Sequence, residues 1–180
     1  MLQNRSELEQ VLRGPGSLGA VFARHAYGMR RWVDLFAIRI PQIDDAYLTE
    51  LVATIVSLNA KHAVMFRERA LAHGVDPDAY LCPPEGEVIY ERMAPLDADE
   101  TLAYALGSLE HFADLLAVYA EVADDAADRA VLAEVRADND AAIARLRTLV
   151  GGGPAPATAD AHELYRMREL AETPLYAHRS

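Results

Sequence analysis

Apolar positions recur at alternating spacings of four and three along most of the chain, and no stretch alternates apolar and polar residues in the two-residue period of a strand. A first seam reads Leu18, Phe22, His25, Met29, Trp32, Phe36; a second reads Leu48, Val52, Ile55, Asn59, His62, Phe66, Arg69. The last long one reads Leu132, Val135, Asn139, Ala142, Leu146, Leu149. Between them, the third helical stretch offers two seams. One passes through Leu102, Leu106, Leu109, Ala113 and Leu116, the other through Tyr104, Ser108, His111, Leu115 and Val118.

Turn residues set the ends. A short helix over about 5–13 stops at Gly14-Pro15-Gly16, and helix A then runs from Ser17, as N-cap, to Ile40 before Pro41. Asp44 caps helix B, which continues to about His73 and Gly74. Residues 75–96, rich in Pro and acidic side chains, are expected to form a long irregular connection. Asp97 with Glu100 makes a capping-box start for helix C, about 98–123. Asp124 and Asp125 break the chain before helix D, about 127–149, which Gly151-Gly152-Gly153-Pro154 ends. A last amphipathic helix, about 159–171 within the segment 158–172, presents Leu164, Tyr165, Met167 and Leu170, as a lid or a dimer arm.

The expected fold is therefore all-α: a single domain over 1–180, with a four-helix core at about 17–150 and short N- and C-terminal helices. Its 180 residues, 52% of them hydrophobic, suffice for one real core. Two hairpins are joined by one long B–C link. Each long helix spans roughly 33–44 Å at about 1.5 Å per residue, enough to enclose a mid-depth cavity.

Charge narrows the partners. The net charge is −11, Lys61 is the sole lysine, and the arginines form no stripe, so nucleic acid and anionic membranes are disfavoured. The start MLQNRSELEQ has no apolar leader core and no stretch reaches 18 apolar residues, so a cytoplasmic protein is expected. Cys82 is alone and reads as an inert thiol. Phosphate-binding glycine loops, G-x-S-x-G, HExxH and CxxC are all absent.

What stands out is polarity inside the seams. Asn59, His62, His25 and Asn139 occupy positions where hydrocarbon is expected, and an unpaired buried polar group costs roughly 1–3 kcal/mol. Either they find partners, or they serve chemistry.

The stretch Thr101 to Leu149 resembles the second half of the ferritin-like/rubrerythrin-like superfamily, most clearly in LAVYAEVADDAADRAVLAEVRADNDAAIARLRTL, and residues 17–71 resemble its first half. The resemblance implies a bundle with a carboxylate-bridged di-metal centre, built from one Glu on each of two helices and Glu-x-x-His on the other two. Carried across, those slots fall on His25, on Asn59-x-x-His62, near Glu110, His111 or Phe112, and on Asn139-x-x-Ala142. Asn supplies no charge, so an ordinary di-iron oxygenase or ferroxidase is not implied.

Two function classes follow. In the first, a small-molecule enzyme has a His/Asn pocket in place of the di-iron site. His62 and His25 act as acid–base groups, with Asn59 and Asn139 holding a carbonyl or oxyanion. In a metal-dependent version His25, His62 and His111 bind one transition-metal ion; the other version needs no metal. Tyr27, Tyr104 and Arg30 lie close in register and could orient an anionic group. In the second class the site is repacked and metal-free, Asn139 satisfies Asn59 across the core, and the bundle is a binding or scaffold protein. The expected partners are a small-molecule ligand and a second copy in a homodimer. His73 is expected to interact with a helix dipole, Asp124 to Asp128 to form a solvated turn, Asp138 and Asp140 to point outward, and His162 and His178 to be solvated.

Overall fold

The structure, a computed structural model, describes residues 5–82 and 84–149. Among them are six α-helices and no strand: α1 (Arg5–Leu12), α2 (Ser17–Ala37), α3 (Ala46–Ala72), α4 (Pro84–Met93), α5 (Ala98–Val122) and α6 (Ala126–Leu149). The all-helical class read from the periodicity holds. The amphipathic segment 158–172, with His162 and His178, lies outside the described residues.

Helix ends follow local chemistry, with small shifts from expectation. Gly16 precedes α2 in the left-handed region (φ +72°), so Ser17 is the first helical residue rather than the cap. α2 closes at Ala37, and Pro41 sits in a short 3-10 turn, Ile40–Gln42. Asp45, not Asp44, caps α3, its carboxylate accepting from the Leu48 N–H at 2.7 Å. The expected capping box opens α5: the Glu100 N–H donates to Asp97, and the Asp97 N–H to Glu100.

The connection 75–96 is not irregular throughout, because it contains α4. Pro84 suits a first helical position, where its missing N–H is no loss. A ten-residue helix is marginal alone, and tertiary contacts hold this one. Met93 is fully buried beside Leu35 and Tyr104. The buried Arg39 guanidinium donates to the carbonyls of Met93 (3.0 Å) and Ala94 (2.8 Å), neutralising the negative end of α4, and to Thr101 Oγ1 at 3.0 Å.

α2 and α3 pack along most of their length, α5 pairs with α6, α3 lies against α6, and α1 lies against α5. Besides the small cluster around Met93, two larger apolar clusters fill the interior. One gathers Phe22, Phe66, Leu116, Tyr119, Leu132 and Val135, and the other Phe36, Val52, Ile55, Leu102 and Leu146. Asn59 and His62 fall between Ile55 and Phe66, and Asn139 between Val135 and Ala142. The polar side chains thus mark the boundary between the clusters. Among the described residues no helix is long and apolar enough to cross a membrane.

Candidate functional site

At that boundary lies a cavity of about 20 Å³, walled by Met29, Ile55, Leu109 and Phe112 on its apolar side and by Asn59, His62, Asp138 and Asn139 on its polar side. Met29, Ile55 and Leu109 sit on the seams that converge there, and Phe112 joins them from between the two seams of α5. Three of the four residues proposed as catalytic from the sequence therefore do meet at one depth. The exception is His25, which does not line the cavity.

The two asparagines do not bond each other across the core. Each turns its amide nitrogen onto a backbone carbonyl: Asn59 Nδ2 donates to Ile55 O at 3.0 Å, and Asn139 Nδ2 to Leu109 O at 2.9 Å. The first is a bond within α3; the second ties α6 to α5.

His62 is buried, and its Nε2 lies 3.0 Å from Asp138 Oδ2. Asp138 was expected to face outward, yet only 28% of its side chain is exposed. It accepts from both His62 and Lys61, the latter at 2.8 Å, while Lys61 also pairs with Glu134 at 2.8 Å. The lysine and the imidazole hold the Asp138 carboxyl below its ordinary pKa. Burial pushes the His62 pKa down, against an opposing pull from Asp138. An ionised carboxylate can only accept, so neutral His62 carries its proton on Nε2. Asp138 and Lys61 are the partners that the seam pattern missed. The available signal was the placement of the sole lysine beside His62, which calls for a carboxylate opposite.

His25 faces the α2–α5 joint. Its Nε2 lies 3.0 Å from the Tyr119 hydroxyl, and Phe66, Phe112 and Tyr119 surround the ring at centroid distances of 4.9–5.5 Å. Burial lowers its pKa well below 6.5, with Arg24 and His111 adding smaller pushes. His111 is buried too, and its Nε2 has no hydrogen-bond partner among the described residues. Of the three helix-C candidates for the slot, Phe112 reaches the cavity, while Glu110 pairs with Arg147 at the surface. Among the described residues no three His, Cys, Asp or Glu side chains converge to hold a metal ion, so His25, His62 and His111 do not form a common ligand set.

The remaining candidates lie elsewhere. The Tyr27 hydroxyl donates to Glu87, its ring contacts Tyr80 and Tyr90, and its pKa is pushed up to about 12. Tyr104 packs with Leu35 and Met93, and Arg30 is exposed. Burial and Glu87 push the Cys82 thiol up to about 11, which disfavours the thiolate. The acidic turn is not wholly solvated: Asp128 is buried and receives Arg69 Nε at 2.5 Å and His73 Nε2 at 2.7 Å. His73 thus acts on a carboxylate of α6 rather than only on its own helix end. An open groove of about 620 Å³ runs between α5 and α6, lined by the pairs Arg147–Glu110 and Arg136–Asp140 and by Asp114.

No protein-family model, curated protein or solved structure matches this chain.

Proposed function

We propose that this chain is a ferritin-like four-helix bundle whose di-metal position has become a closed polar joint, and that it acts as a non-catalytic binding or scaffold protein. The observation carrying this is the size of the central cavity. About 20 Å³ stands against the roughly 300–1,000 Å³ of sites that take organic ligands. The chemistry of the walls agrees. Asp138, the carboxylate at the cavity, is already engaged by Lys61 and His62. Asn59 and Asn139 offer no charge to offset a divalent ion.

The small-molecule enzyme is the second reading, and one observation favours it. His62 and Asp138 form an oriented acid–base pair at the cavity wall, with Asp138 partly open to solvent. Catalysis there requires the cavity to widen enough to admit a substrate.

Thermal unfolding separates the two, because any ligand that binds only the folded state raises Tm with concentration. On the scaffold reading, Zn²⁺, Fe²⁺, Cu²⁺ and Mn²⁺, and a panel of small aromatic, acyl and amine compounds, leave Tm unchanged. A saturable rise that disappears in His62→Ala overturns that reading in favour of a working pocket.

A further inference from the structure

The two asparagine amides leave a surplus that the protein itself does not resolve. Both amide nitrogens are committed to backbone carbonyls, and neither side chain can be turned over, since that would set its oxygen against the oxygen of Ile55 or Leu109. Both residues line the cavity, and neither amide oxygen has a donor among the described residues. His62 adds no donor there, because its one proton is directed to Asp138. The polar wall is therefore rich in acceptors.

From this we infer that the cavity is a built site for one water molecule, which donates a hydrogen to each of Asn59 Oδ1 and Asn139 Oδ1 and so joins α3 to α6 through its own two bonds. The volume agrees with a single occupant. A water needs roughly 10–15 Å³ of such space, so about 20 Å³ holds one with ease and two only at the lower limit. The stoichiometry of donors agrees as well: two oxygens without a protein donor among the described residues match the two hydrogens of one water. A monovalent cation would also suit amide oxygens, but it would approach an Asp138 whose charge Lys61 already meets at 2.8 Å. A neutral donor is favoured. The inference rests on the closed-joint reading, and it gives that joint a third component besides the two helices.

A double-substitution cycle with Asn59→Leu and Asn139→Leu tests it, read as Tm. Each single substitution strands the other amide oxygen and displaces the water, so each lowers Tm. The double substitution removes both oxygens and fills the cavity with hydrocarbon, so its Tm lies above the sum of the two single losses. Strict additivity overturns the inference, as does a single substitution that raises Tm. Because a misfitting Leu lowers Tm by itself, magnetisation transfer from solvent water to the amide protons around residues 59 and 139 of the unaltered protein is the second measurement. A long-lived internal water gives cross-peaks there, and their absence overturns the inference. Tm in chlorides of sodium, potassium, ammonium and choline at equal ionic strength is expected to be the same, and a cation-specific rise replaces the water by an ion. None of these results depends on the metal and compound panel, so this site and the scaffold reading can fail separately.

Discussion

Burial biases His25 and His62 toward the neutral imidazole, and that has a measurable sign. His25 has an unperturbed value of 6.5 and a native value well below it, caused first by burial among aromatic rings. The unfolded chain therefore binds a proton that the folded one refuses. Its contribution to stability is complete above pH 6.5 and erodes as pH falls from 6.5 toward the lowered native value. His62 shifts the same way, less strongly because Asp138 opposes it. Asp138, also lowered, adds a loss only below its reference of 3.8. Chemical denaturation between pH 7.5 and 5 is expected to show falling stability, with a shallower slope in His25→Gln. An unchanged slope in that variant would mean that His25 is not the group being titrated.

At the scale of elements, the seams located four long helices to within a few residues, because their patterns are long and their stop signals, Gly-Pro-Gly, Pro41 and Gly74, are strong. The failures were tertiary. α4 is short, and its stability comes from Arg39 and Met93, neither of which is visible in local spacing. Asp128 sat in an acidic run that reads as a solvated turn, yet Arg69 and His73 from the end of α3 fold over it. Gly19 lets α2 come this close: a Cβ there would stand 2.6 Å from that of His73. Asp128→Ala is expected to destabilise by about 2–3 kcal/mol, since it removes charge-assisted bonds from a buried carboxylate. The exposed Asp124→Ala should stay within roughly 0.5 kcal/mol of the parent. Equal effects of the two in urea unfolding would show that the Asp128 cluster does not hold α3 to α6.

For the molecule as a whole, the depth of the polar layer was legible, and its chemistry only in part. Asn59, His62 and Asn139 do border one space, since residues on facing seams must meet where the helices pack. Asp138 was not legible because it lies one residue off its seam. That places it at the edge of the α3–α6 contact, and a helical wheel cannot say which side of the edge is buried. His25 does not line that space; its ring packs against Phe66, Phe112 and Tyr119 instead. What a ligand set needs is convergence, and the described residues place no three candidate ligands together. Elemental analysis of the protein, expressed with iron, zinc, copper and manganese supplied and purified without chelator, puts this to the most direct test. The expected result is far less than one ion per chain, the same in the parent and in His62→Ala. A stoichiometric ion lost on that substitution would contradict the closed joint and restore a metal centre at the middle of the bundle.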